Sequence, residues 1–535
     1  MKRNLSKYSL IFSFSLVLFG CSLDETPIDQ LPESEAYKSP SLIYLNTVAN
    51  LYTEIGGSSG GNGLAGTDRG IYDLNTFTAD EALLPTRGGD WFDGGLWQDL
   101  FKHNWKSDNS VILNSWNYLY RVIGKINMSL DKLNSLIEQD PENNYLPVYK
   151  AEIRALRAMY YYYLMDLFGR VPIVETATTQ ISDVQQSTRS AVFNFVTTEL
   201  QESIPYLSTA NSSKTGEYYG RMTRPVAFFL MAKLALNAQV YSDDDWTDNN
   251  GIPNGTASFT INGESKTPWE ATVAYCDSIT DLGYELESDF SSNFSISNES
   301  SKENIFVIPM DPVNFTARNM NLVRSRHYAH GKAYSQDGWN GASATKEAIA
   351  IFRKGSEDPR MQKTYFTGKV KGPDGNYIKD GNIELEYKPD AIALDVSGTT
   401  FEKTAGARMA KYETDPTAQA AGQLPHNDWV LFRYADVLLM KSEALVRMGQ
   451  SGDNDLGKIR ARAGASARVA TLDNILDERL LELAWEGWRR QDLIRFGKYT
   501  QPISDRPISA PYKTVFPIPA DVLSLNTNLT QNPGY

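Results

Sequence analysis

The sequence predicts a mainly α-helical protein, an α-solenoid of tetratricopeptide-like helix pairs carrying a face of long loops. Three observations predict it. Apolar residues recur at helical spacing, as in Ile153, Leu156, Tyr160, Leu164 and Leu167, which lie 3, 4, 4 and 3 positions apart. Irregular segments at 56–108, 243–267, 283–340 and 355–425 are rich in Gly, Asn, Asp and Ser and too long to be simple connectors. Strand-like pieces within them are short, Ile305–Ile308 being an example. No strict repeat of about 34 residues accompanies the helix pairs.

The chain opens with an address. Lys2, Arg3 and Lys7 precede an apolar run of eleven residues, Leu10–Gly20. A membrane-spanning helix needs about 20, so residues 1–20 read as a signal peptide. The run ends Leu18-Phe19-Gly20-Cys21, which resembles a bacterial lipobox and makes Cys21 the acylated N-terminus of the mature chain. Residues 21–40 hold three prolines and no periodic pattern, and read as a lipidated tether. Helices follow at about 42–55, 109–138, 188–206, 224–241, 268–282 and 343–354. The stripe from Ile153 to Leu167 is closed by Gly169 and Pro172. Tyr160 to Tyr163 put aromatic surface on every side of that helix, which predicts burial among several neighbours. Tyr434, Val437, Leu438, Leu445 and Met448 form a second stripe; Ile475, Arg479, Leu480, Leu483 and Ile494 belong to a third region. The mature chain divides into an N-terminal region, 41–245, and a C-terminal region, 246–535, fused in one body.

Composition narrows the function. A chain of 535 residues, 41% hydrophobic, buries a large core without disulfides. Its 29 Tyr, 22 Phe and 10 Trp exclude a disordered polymer. A net charge of -13 repels phosphate and anionic lipid, so nucleic acid is no partner and charge alone does not hold it to a membrane. Neutral ligands remain open. Two cysteines and four histidines give zinc a poor supply of ligands. Cys276 fits a small buried apolar position better than a reactive thiol. His327 and His330 have a metal-compatible spacing, but Arg324, Arg326 and Lys332 surround them. Asp243–Gly251 has calcium-like oxygen ligands without EF-hand spacing and reads as a solvated loop. No metal and no cofactor is expected. Glu478, Glu482 and Glu486 fall at i, i+4 and i+8 among Arg479, Arg489, Arg490 and Arg495. They read as a structural ion-pair network, with Glu486 facing Arg490, rather than an acid–base or metal site.

The window 80–105 has the chemistry of sugar recognition. It contains Asp80-Glu81, then Arg87-Gly88-Gly89-Asp90-Trp91-Phe92-Asp93, then Trp97, His103 and Trp105. An aromatic ring takes the C–H face of a pyranose, while Asp and Arg side chains fork hydrogen bonds to paired hydroxyls. Arg87, Asp90, Trp91, Asp93 and Trp97 are the candidate ligand contacts; Trp105 blends into the helix at 109 and reads as core.

Six segments resemble the SusD/RagB family. They are Ala155–Tyr161 running on to Leu167–Pro172, Gly220-Arg221, Leu431–Leu439 with Glu443-Ala444-Leu445, Ile459–Gly464, Glu478–Phe496, and the closing Gln531-Asn532-Pro533-Gly534-Tyr535. They run in family order over nearly all of the mature chain. The acidic Asp24-Glu25 after Cys21 is similar to the surface-export signal of Bacteroidetes lipoproteins. The resemblance implies a non-catalytic, surface-exposed outer-membrane lipoprotein that binds glycan. It implies a lid on a SusC-like TonB-dependent transporter, to which oligosaccharide is passed. Gly338-Trp339-Asn340-Gly341 is similar to the loop whose tryptophan stacks on sugar in the family, which adds Trp339, Asn340 and the nearby Tyr334 to the site. The family's starch-binding founder carries an Asp-Glu pair followed by two tryptophans and an asparagine. Asp80-Glu81 matches the pair, but Thr86 and Arg87–Asp90 stand where those aromatics would lie. Two other readings stay open: a surface glycoside hydrolase using Asp90 with Asp93 or Glu81, whose carboxylates would need to lie roughly 5–9.5 Å apart, and a peptide-binding scaffold of the RagB type.

Overall fold

A computed structural model describes residues 33–57, 62–64, 68–314 and 317–535. The signal peptide and Cys21 lie outside them. The chain is mainly helical, and its helices pack in chain order. Ser110–Gln139 packs on Leu146–Phe168, which packs on Arg189–Ser203; Arg224–Leu236 packs on Pro268–Asp281, which packs on Tyr434–Arg447. Tyr434–Arg447 also meets Asp453–Arg462 and Leu472–Leu483. Local chemistry starts these helices where the sequence signals. The Asn109 side chain accepts from the N–H groups of Val111 and Ile112, and Thr267 with Glu270 forms a reciprocal capping box. The helix expected at 42–55 is broken by a π turn at Leu45–Ala49, and the one expected at 343–354 is shorter, Lys346–Phe352. Among the described residues no helix is long and apolar enough to cross a membrane.

Tyr160 to Tyr163 are all buried. The hydroxyl of Tyr162 donates to Gln491 Oε1 at 2.8 Å and that of Tyr161 bridges the N–H and carbonyl of Val174. Cys276 is enclosed in the same core, where burial pushes its thiol well above the ordinary range. The last residues close the body. Asn532 Nδ2 donates to the carbonyls of Phe168 (2.7 Å) and Phe516 (2.9 Å), and Trp105 Nε1 donates to the Tyr535 hydroxyl (2.7 Å).

Strands are short and paired two by two. Asn304–Ile308 runs antiparallel to Trp429–Arg433, and Ala82–Leu83 runs antiparallel to Ser343–Ala344. The first pair places Arg433 at the start of its helix, inside a buried ionic cluster. Arg433 meets Glu303 (2.7 Å), Glu482 (2.6 Å) and Glu486 (2.8 Å); Arg360 meets Glu478 (2.6 Å) and Glu482 (2.7 Å). The pairing of Glu486 with Arg490 is corrected here. The helix ends at Leu483, Trp485 and Gly487 take positive φ, and a new helix starts at Arg489. Glu486 therefore turns to Arg433 and Lys411, while Arg490 reaches Asp166 at 2.8 Å.

Candidate functional site

The Ala82–Leu83 and Ser343–Ala344 pair brings two loops to one end. Residues 86–95 leave the first strand and residues 338–341 enter the second. Arg87 and Asp90 exchange backbone hydrogen bonds (3.0 and 3.1 Å) across Gly88-Gly89, and Gly88 supplies the positive φ, 66°, that such a two-residue turn requires. The second loop is knitted to residues 323–326: the N–H groups of Trp339, Asn340 and Gly341 donate to the carbonyls of Val323, Arg326 and Arg324.

The loops meet at Trp91. Its Nε1 donates to the Trp339 carbonyl at 2.9 Å, and its ring lies on Gly341, where a Cβ would fall 2.6 Å from ring atom Cε2. Only glycine allows that approach. Trp91 (φ 60°), Asp93 (φ 43°) and Asn340 (φ 51°) all adopt the left-handed region. For a tryptophan this is an outlier, and such strain gathers at ligand sites. Trp91 and Trp339 are half-buried, while Phe92 (54% exposed) and Tyr328 (43%) stand out beside them. The Tyr328 hydroxyl donates to Asp90, and Tyr334 lies half-buried with the Arg326 guanidinium 5.6 Å from its ring centre. Asp93 is exposed and accepts from Trp97 Nε1 (2.7 Å) and Arg69 (3.1 Å).

Several expected contacts are corrected. Trp97 (1% exposed) is core, edge-on to Phe77 and Trp91. Arg87 is buried and spends its guanidinium on Glu402 O, Ser343 Oγ and Ala405 O. Asn340 is buried with its Oδ1 on Arg408 (2.9 Å). These three build the platform from beneath. Asp80 is buried and bound by Arg489 (2.7 Å), and Glu81 is fully enclosed against the N–H of Trp485. Burial pushes the Glu81 carboxyl up to about 8, against the lowering effect of that N–H. His327 and His330 are buried, and burial pulls them down to about 4 and about 3, so both are neutral at physiological pH. His327 Nδ1 caps the Tyr328–Ala333 helix at Ala329 N–H, and His330 Nδ1 meets the Tyr387 hydroxyl at 3.0 Å. Phe92 and Tyr328 escaped the sequence reading. Phe92 stood in the right loop, but Tyr328 carried no signal beyond lying between two histidines.

Trp91, Trp339, Phe92 and Tyr328 thus gather aromatic surface beside Asp90 and Asp93 on a helical body. Residues 287–535 match the model of the SusD family, and residues 87–236 match a model described as starch-binding associating with outer membrane. Both matches place the similarity of this chain within SusD-type sequences. The starch-binding protein SusD of Bacteroides thetaiotaomicron is 24% identical over 100% of this chain and 99% of its own length. A SusD-like protein of Bacteroides ovatus is 22% identical, with 80% of this chain and 77% of that one covered. Among solved structures, a laminarin-binding SusD-like protein superposes with a TM-score of 0.69 at 22% identity, covering 93% of this chain and 100% of that one. A surface glycan-binding protein A from Bacteroides thetaiotaomicron in complex with laminarihexaose gives 0.68 at 19% identity, covering 92% and 99%.

Proposed function

We propose that this chain is a non-catalytic glycan-binding lipoprotein of the outer-membrane surface. It is anchored through Cys21, and it captures oligosaccharide or polysaccharide and delivers it to a SusC-like TonB-dependent transporter. The observation that carries the reading is the junction of Trp91 and Trp339, two half-buried indoles from distant loops beside the exposed Phe92, Tyr328, Asp90 and Asp93. Rings take the apolar sugar face and the carboxylates take hydroxyls. A hydrolase acting through Glu81 is disfavoured, because that carboxyl is sealed from solvent.

A glycan array set against a peptide panel tests the ligand class; capture of peptides alone would move the chain to the RagB-type reading. Calorimetric titration then tests the site. Trp339→Ala is expected to cost about 2 kcal/mol, roughly 30-fold in affinity, with little change in melting temperature. Trp91→Ala should lower affinity and stability together, because its ring also fills the space over Gly341. Wild-type affinity in a folded Trp339→Ala protein would remove that indole from the site.

A further inference from the structure

The floor of the platform is made of arginines. Arg87, Arg326 and Arg408 are buried beneath it, and every hydrogen bond they make runs to a neutral oxygen. Arg408 donates to Ser343 Oγ (2.6 Å), Asn340 Oδ1 (2.9 Å) and the carbonyls of Gly341, Ala342 and Lys403. Arg87 shares the same Ser343 hydroxyl at 2.9 Å, so two guanidinium groups converge on one oxygen. Arg326 donates to Gln336 Oε1 (3.1 Å) and Thr414 Oγ1 (2.5 Å). The Nε of each is buried without a partner.

Among the described residues, none of the three forms an ion pair with a carboxylate. Among the described residues, Glu402 is the carboxylate whose charge bears on Arg87; phenols alone bear on Arg326 and Arg408. Burial pulls Arg326 and Arg408 down to about 10, which leaves both charged at neutral pH. Arg324 shows the contrast: close in sequence, it pairs with Asp73 (2.7 Å) and Asp68 (3.2 Å). The acids on the face above are exposed to solvent. Asp90 takes the Tyr328 hydroxyl, Asp93 takes Arg69 and Trp97, and Asp380 lies 3.6 Å from Lys403. Solvent and salt screen those exposed charges far more than the buried guanidiniums. A buried charge without a counter-charge is costly to maintain, and an anion brought close to it lowers that cost.

We propose that the glycan held at the Trp91–Trp339 platform carries anionic substituents, uronate carboxylates or sulfate esters, answered by the field of Arg87, Arg326 and Arg408. This rests on the glycan-binding reading above.

The test uses charge-matched pairs on one array: polygalacturonate and alginate with their carboxyl-reduced forms, carrageenan with its desulfated form, and neutral starch and laminarin. Binding is read at about 20 and 500 mM NaCl for wild type and Trp339→Ala. The expected result is at least about tenfold weaker binding when a preferred glycan loses its charge. The charged form should also weaken severalfold at high salt, and Trp339→Ala should weaken every form. Loss on carboxyl reduction assigns uronate; loss on desulfation assigns sulfate. Binding of neutral glycans alone, or equal binding within every pair, overturns the charge assignment while leaving the platform standing. Binding of no glycan overturns the platform reading itself.

Discussion

Glu81 lies fully enclosed, its Oε1 on the Trp485 N–H and its Oε2 buried without a partner. Its carboxyl, raised to about 8 by burial against an ordinary 4.5, is protonated in the folded protein at pH 7 and ionised in the unfolded chain. The folded state therefore binds more protons between those values, and stability falls as pH rises from about 4.5 to 8. The loss approaches about 3 kcal/mol at pH 7. Glu81→Gln should flatten this part of the profile: melting temperatures at pH 5 and 8 should lie closer together than in wild type. Equal slopes in both proteins would mean that Glu81 is ionised in the fold. The same residue marks a limit of the sequence. Asp80-Glu81 and Arg87 have the composition of a sugar site, yet all three turn inward. Residue types in a polar loop reveal the chemistry available; which side chains face inward depends on partners such as Trp485, Arg489 and Ser343, far away in the chain.

At the scale of elements, helices were legible because an apolar period survives any tertiary arrangement. The helices at 110–139, 189–203 and 268–281 fall within a few residues of their expected bounds. The break after Leu483 is not legible from charge spacing, which runs on through Glu486; the local signal is Gly487, whose positive φ the i, i+4 pattern does not reveal. The resulting cluster makes a firm prediction. Burial alone would raise the Glu482 carboxyl, but Arg462, Arg433 and Arg360 hold it well below the usual carboxylate range. Its stabilisation is therefore present above about pH 4.5 and is lost as pH falls below that. Glu482→Gln leaves those guanidiniums short of a counter-charge and should cost about 3–5 kcal/mol in denaturant unfolding. Ligand affinity of the folded fraction should stay unchanged. A cost below about 1 kcal/mol would show that the cluster does not hold the helix in place.

For the whole molecule, the site depends on pairings that no local pattern announces. Thr345 donates to the carbonyl of Asp80 across 265 residues, and that junction sets Trp91 against Trp339. The family resemblance points to Trp339 as a proposed contact; nothing local points to Tyr328. The proposed lipid anchor makes a prediction at this scale. Cys21→Ser, expressed without a transporter partner, should leave the outer-membrane fraction for the soluble one. Retention of the variant in the membrane fraction would count against acylation at Cys21.

The docking of Asn532 and Tyr535 carries a consequence for how the chain is made. Phe168 and Trp105 wait for partners that are synthesised 364 and 430 positions later. The early helices can form as they emerge, but their outer seam stays open until Asn532 and Tyr535 arrive. Contacts of such long range are slow to close, and the unfinished seam exposes apolar surface in the meantime. That seam is therefore open to proteases and to self-association for as long as Asn532 and Tyr535 are not yet in place.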